Sequence, residues 1–174
     1  MAYARSAKFT PAELARRLDR ILESGERLVR AFPESALDVI PPERKRSVRD
    51  LGFHMFRVGL SFADAMDRGA LPEGWFEEPA PPEMRDTVAL ASYGLLVRGR
   101  LQGWFAGVAD DEFTRVIAVY YGPQSGYDLL ERTTWHAAQH LRQLYELAGR
   151  LRVTPPSPLP IDEFRGLPLP DAVW

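Results

Sequence analysis

Residues 133–144 read TTWHAAQHLRQL. Thr134, Ala137, Leu141 and Leu144 recur three or four apart, the stripe of a helix laid against a core. His136 and His140 are themselves four apart, so both imidazoles project from one side of that helix. The chain holds three histidines in all, and two of them stand beside this seam. Upstream, Ser125 and Asp128 form a capping pair. Leu130 starts the stripe, and Ala148 and Leu151 extend it, so the predicted helix opens at Ser125 and runs to about Leu151.

Three more helices are expected from capping and periodicity. Phe9-Thr10-Pro11 and Glu13 supply a Thr N-cap, a first-turn Pro and a capping-box Glu, with Phe9 and Leu14 spaced as a hydrophobic staple. Leu14, Leu18, Ile21, Leu22 and Leu28 then carry a helix to about Arg30. A second helix begins at Ser47, with Asp50 three residues on, and runs to about Arg68 on the seam Val48, Leu51, Met55, Val58, Phe62 and Met66. A third spans about Met84 to Ala106, with Val88, Ala91, Leu95 and Phe105 expected inward and Gly107 as C-cap. Its periodicity is the least regular. GALPEGWFEEPAPPE (69–83) is a loop by its prolines and glycines. RVIAVYYG (115–122) reads as a short strand or an extended lid. TPPSPLPIDEFRGLPLPDAVW (154–174) is proline-rich, yet Leu159, Ile161, Phe164, Leu167, Leu169 and Trp174 call for burial. The expectation is an all-α four-helix bundle with long connectors, spanning 1–153, and a proline-rich extension, 154–174, packed on it as part of the same domain.

Composition narrows the chemistry. The 174 residues carry a net charge of −2, without the basic field that phosphate neutralisation needs, so nucleic acid is not an expected partner. The densest charge run, Glu43-Arg44-Lys45-Arg46, reads as a solvated loop. No apolar run approaches a membrane span, and the N-terminus is charged where a leader would be apolar. A cytoplasmic location is expected. There is no cysteine, which removes disulfides, thiolate metal sites and a protein-borne thiol nucleophile.

His54 lies in the second helix beside Leu51, Met55 and Val58, near its buried edge. If the second and fourth helices are neighbours, His54, His136 and His140 converge inside the bundle. A histidine on an apolar face can equally be a buried imidazole satisfied by a carbonyl. Metal coordination is favoured because every histidine flanks a predicted seam and none lies in a loop. Two familiar metal patterns are excluded. Ala137 stands where a zinc protease has its general-base Glu. Leu51, Thr133 and Ala137 stand where a di-iron bundle has the Glu of its Glu-x-x-His motif. Three imidazoles with an open position suit zinc, nickel or a similar divalent ion, and an open position favours catalysis.

SVRDLGFHMFRV (47–58) resembles the segment that carries the first histidine in the DinB-like superfamily of four-helix-bundle metalloproteins. LLERTTWHAAQHLRQL (129–144) is similar to that superfamily's last-helix motif, with two histidines four apart and a Gln three further on. The resemblance covers roughly residues 10 to 151. It implies His54, His136 and His140 as ligands of a divalent metal, commonly zinc or nickel, and often a homodimer. Members include thiol-dependent S-transferases and a mycothiol-dependent maleylpyruvate isomerase. The ending GLPLPDAVW (166–174) resembles extensions of members fused to glutaredoxin-like domains, which points to a thiol or redox context.

The expected activity is that of a metal-dependent transferase using a low-molecular-weight thiol on a small-molecule substrate. The missing cysteines are compatible with a nucleophile that arrives on the cosubstrate. A metal-dependent hydrolase is the alternative, and a non-catalytic metal-binding stress or interaction protein is a third reading. Asp50, one turn before His54, is placed to orient that imidazole or to cap its helix. Gln143 is placed to brace His140 or to face solvent. Tyr120 and Tyr121 are candidates for lining the pocket or donating a proton, with packing as the alternative. Arg57, one turn after His54, is a candidate for an anionic substrate or a surface ion pair. Trp104 and Trp135 are read as packing or interface residues.

Overall fold

The computed structural model describes residues 9–174. The first eight residues, which the expected span 1–153 includes and whose charge argued against a leader, lie outside the described residues. Four helices dominate: α1 (Pro11–Ala31), α2 (Val48–Arg68), α3 (Thr87–Gly107) and α4 (Gly126–Arg150). Their starts follow from capping chemistry. Thr10 and Glu13 form the reciprocal box, with Thr10 N donating to Glu13 Oε2 at 2.7 Å and Glu13 N donating to Thr10 Oγ1 at 3.2 Å. Ser47, Asp86 and Ser125 cap the other three through their side-chain oxygens. Gly69, at φ 73°, closes α2 in the left-handed conformation that glycine adopts without penalty.

α1 packs on α3 and α4, and α2 packs on the same two helices. α1 and α2 therefore stand across a diagonal, as do α3 and α4, and connectors 32–47 and 108–125 cross the bundle ends. The α2–α4 contact that the histidines required is present. The seams of α1 and α2 are buried at every expected position, and on α4 all but half-buried Leu151 are. Among the described residues no helix is long and apolar enough to cross a membrane.

A small sheet closes one end, in the order β1 (Ala70–Leu71), β2 (Val116–Val119), β3 (Gln124–Ser125). β2 runs parallel to β1 and antiparallel to β3. It buries Ile117 and Val119 and exposes Val116, the alternation of a half-buried strand. Of the two readings of 115–122, the strand is the one formed.

α3 departs from expectation. It starts at Thr87 rather than Met84, because Pro81–Met84 form a turn closed by Met84 N donating to the Pro81 carbonyl at 2.9 Å, and Asp86 Oδ1 accepts from Ala89 N at 2.7 Å. It runs through Gly107, with extended Val108 as its C-cap. Val88 and Leu95, expected inward, are 58% and 54% exposed, whereas Leu90, Ala91, Gly94, Val97 and Leu101 are buried. The helix has two apolar faces, so periodicity could not choose between them. Gly94 chooses: the Phe56 ring lies against it, only 2.6 Å from where a Cβ would stand.

Residues 154–174 lie on the bundle. Glu163 pairs with Arg16 and Arg20 of α1 at 3.1 and 2.7 Å. Leu159 N donates to Tyr145 Oη of α4 at 2.8 Å. Leu159 and Leu167 are buried, but Ile161, expected to pack, is 74% exposed. A short 3-10 turn at Ile161–Glu163 points Glu163, not Ile161, at the α1 arginines.

Candidate metal centre

The helical i, i+4 relation places His136 and His140 side by side on α4, with ring centroids 4.7 Å apart. α2 brings His54 against them, at 4.7 Å from His140 and 5.7 Å from His136. One nitrogen from each ring falls within 4.8 Å of the others. Ligands at about 2.05 Å around a tetrahedral zinc lie about 3.4 Å apart, so small ring rotations close the set on one ion.

The donor set fits a cation in a second respect. His54 Nδ1 and His140 Nε2 are buried without a hydrogen-bond partner among the described residues. Native interiors rarely leave such nitrogens unpaired, since each costs about 1–3 kcal/mol. Burial also keeps the rings neutral, as ligands must be. Desolvation, reinforced by His140 and Arg46, pushes His54 down to about 2. Desolvation lowers His140 to about 4, opposed by its bond to Gln143, and holds His136 well below its ordinary value.

The three imidazoles do not share one environment. His136 and His140 open onto a cavity of about 900 Å³, lined also by Trp135, Gln139, Gln143, Leu51, Glu77 and the loop Pro42–Arg46. Phe76 closes the other side, with its ring 6.1 Å from both His54 and His136. Loop 43–46, read from sequence as merely solvated, is therefore a wall of the site. Arg46 is anchored by donating to the Phe76 carbonyl at 2.8 Å. Arg44 and Lys45 have no side-chain hydrogen bond or ion pair among the described residues. Glu43 is engaged by Arg150 at 2.9 Å.

The other candidates divide. Gln143 Oε1 lies 2.9 Å from His140 Nδ1, so it braces that ring rather than facing solvent. Asp50 does not orient His54. Its Oδ2 accepts from Ser47 Oγ at 2.8 Å and its Oδ1 from Ala80 N at 3.0 Å, which makes it a cap and a clamp on the following connector. Arg57 lies outside the cavity, in a network with Asp64, Glu78 and the Trp75 ring. Tyr120 packs on Phe76 at 6.0 Å, which separates it from the imidazoles. Tyr121 lies under Arg132 at 4.2 Å, and burial raises its pKa. Neither tyrosine lines the cavity. Trp104 donates to Asp67 Oδ1 at 3.0 Å and packs on Phe62, but Trp135 is a cavity wall. Gln139 is not a candidate by sequence, and Trp135 reads there only as a packing or interface residue, although 135, 139 and 143 are successive i, i+4 positions on one face of α4.

A family profile described as the DinB superfamily matches residues 17–144. A sequence search of the curated proteins finds no match. Among solved structures, YfiT from Bacillus subtilis superposes with a TM-score of 0.70 at 15% identity, covering 88% of this chain and 94% of that one. It is described as "a probable metal-dependent hydrolase with an unusual four-helix bundle topology". A DinB-like protein from Bacillus subtilis, YjoA, gives 0.66 at 14% identity over 81% and 93% of the two chains. A mycothiol-dependent maleylpyruvate isomerase gives 0.56 at 14% identity over 75% of this chain and 60% of that one. At these identities the likeness establishes a shared fold.

Proposed function

The chain belongs to the DinB superfamily, and from that premise we propose that it holds a divalent metal ion, zinc or nickel, on His54, His136 and His140 and acts on a small anionic molecule. The observation that carries this reading is the pair of buried, unpartnered imidazole nitrogens in a three-histidine cluster. When bound, the ion supplies a Lewis-acidic position facing the cavity. The chain's own residues supply the rest. Gln143 orients His140, Phe76 excludes water from behind the rings, and Leu51 and Trp135 offer apolar walls to the cavity. Arg44, Lys45 and Arg46 present cationic groups at the mouth, and with Glu43 engaged by Arg150, Glu77 is the opposing carboxylate. Such a mouth concentrates and orients an anion.

The reaction we favour is transfer of a low-molecular-weight thiol to an electrophilic substrate. In a chain without cysteine the sulfur must arrive with a cosubstrate, and the shared fold of the mycothiol-dependent isomerase is in keeping with this. Hydrolysis is the second reading, in keeping with the description of YfiT. A non-catalytic role, in which the ion only stabilises the bundle, is the third. The exposed α3 face of Val88, Leu95 and Leu96 is the surface we assign to a homodimer.

Elemental analysis of the purified protein beside His54→Ala, His136→Ala and His140→Ala tests the site. One equivalent of metal is expected in the parent, with strong loss in each variant; full metal content in all three variants rejects it. Turnover of activated esters and of electrophiles, with and without added thiol, then separates transfer from hydrolysis. No turnover in either, with a metal-dependent gain in melting temperature, leaves the stabilising role.

A further inference from the structure

The last residues of the chain have no helix or strand to take up their backbone groups, and α4 takes them up instead. Arg142 donates to the carbonyls of Pro170 at 2.8 Å and Asp171 at 3.2 Å. Gln139 Nε2 donates to the carbonyls of Ala172 at 3.1 Å and Val173 at 2.7 Å, while its Oε1 accepts from Arg142 at 2.8 Å. Gln143 Nε2 donates to the Val173 carbonyl at 2.9 Å. Trp174 lies under the Arg150 guanidinium, 5.4 Å from its ring centroid. Four consecutive carbonyls are thus held by three polar side chains of one helix face, and two of those side chains also line the metal cavity.

The bond to Gln143 has a chemical consequence at the site. A carbonyl only accepts, so Val173 fixes the Gln143 amide with its nitrogen toward the tail and its oxygen toward His140. That oxygen also only accepts, so His140 Nδ1 must carry the hydrogen of the neutral ring. The lone pair is then on Nε2, the buried atom without a partner. Without the Val173 carbonyl the amide is free to turn over and present its NH2 to Nδ1, which selects the opposite tautomer and places a hydrogen where the lone pair should be. A second group commonly orients and tunes a ligating histidine, and its loss typically costs 10–100-fold in metal affinity.

We propose that the C-terminal segment 170–174 is a positioning element for the metal site, in which the Val173 carbonyl, acting through Gln143, sets the tautomer of His140. Gln143 and Val173 are positioning residues, since neither touches the ion. The inference rests on the metal reading of the three histidines, but its first consequence, the tautomer, is present in the metal-free protein.

The test compares the parent, a chain truncated after Asp171, and that truncation carrying Gln143→Glu. A carboxylate has no donor to turn toward His140, so it accepts from Nδ1 with or without the tail. Zinc affinity, measured by competition with a chromophoric chelator, is expected to fall 10–100-fold on truncation and to recover to within a few-fold with Gln143→Glu. Imidazole 15N chemical shifts of the metal-free proteins should show the Nδ1–H tautomer at His140 in the parent, a mixture after truncation, and Nδ1–H again with Gln143→Glu. A tail that merely braces the fold would lower stability without a tautomer change and without rescue. Full-length Gln143→Leu, which leaves the tail on Gln139 and Arg142, should lose affinity as the truncation does. Truncated or Gln143→Leu protein that binds zinc within twofold of the parent, or an unchanged tautomer, overturns the proposal. A parent that takes up no zinc yet shows these tautomer shifts sinks the metal reading instead.

Discussion

The rings of His54 and His140 stand 4.7 Å apart and nearly perpendicular, at 75°, although they come from different helices. Each has a buried nitrogen with no hydrogen-bond partner among the described residues. A ligand bound only by the folded state adds stability by mass action, about 4 kcal/mol at a thousand times its dissociation constant. For a domain of this size that is a melting-temperature gain of roughly 8 to 16 °C. Zinc or nickel should give such a gain in the parent and none in His54→Leu. Without metal, His54→Leu should match or exceed the parent, because leucine has no polar atom to leave unpaired. Differential scanning calorimetry with and without metal checks both.

The metal-free protein should weaken in mild acid. The three folded-state pKa values are depressed, His54 to about 2 and His140 to about 4, whereas an unfolded histidine protonates near 6.5. Below that pH the unfolded chain binds more protons, so stability falls as pH falls. The contribution is complete above pH 6.5 and is lost toward pH 4, at up to about 1.4 kcal/mol per histidine per pH unit. Urea midpoints between pH 7.5 and 4.5 read it. The slope should be shallower in His54→Leu, and an equal slope contradicts the assignment.

Arg44 and Lys45 should matter for binding and not for folding, since neither side chain has a hydrogen-bond or ion-pair partner among the described residues. In the metal-loaded protein, Arg44→Ala with Lys45→Ala should weaken malonate binding by about tenfold or more, as hydrogen bonds to charged groups are worth about 1.5–3 kcal/mol. The melting temperature should not move. Calorimetric titration decides, and parent-like affinity in the double variant removes the anionic-substrate reading.

Arg98 of α3 is held by Asp19 at 2.9 Å and Glu26 at 3.3 Å, both on α1, and is itself mostly buried. Arg98→Ala removes the arginine that those two α1 carboxylates share at the α1–α3 contact. A loss of about 2–3 kcal/mol in urea unfolding is expected, below the figure for fully buried pairs because Asp19 reaches solvent.

Leu96 is 73% exposed beside Leu95 and Val88 on α3. Light scattering should find the parent dimeric and Leu96→Glu monomeric, with metal content unchanged. A monomeric parent removes this face as the dimer surface.

Much of the bundle was legible because its signals are local. Thr10 with Glu13, and the Ser125–Asp128 pair, announce helix starts through hydrogen bonds between residues three apart. The α2 and α4 seams follow because a single apolar stripe has only one way to turn. On α3 that condition failed. Val88 and Leu95 belong to an equally apolar second face, and Gly94 against Phe56 made the choice from another helix. Ile161 failed for a similar reason: Glu163, drawn by Arg16 and Arg20 of α1, set the orientation of its turn.

The sequence by itself determined which residues can ligate. With no cysteine and three seam-flanking histidines, His54, His136 and His140 were the available imidazole donors, and helical geometry alone put two of them together. Only the tertiary structure decided what surrounds them. Asp50 turned to Ala80, Arg57 to Asp64 and Glu78, Tyr120 to Phe76 and Tyr121 to Arg132, while loop 43–46 and the Val173 carbonyl came to the site. Local periodicity fixes a side chain's direction on its own helix. The partner it meets there depends on how separate segments pack, and no spacing along the chain encodes that.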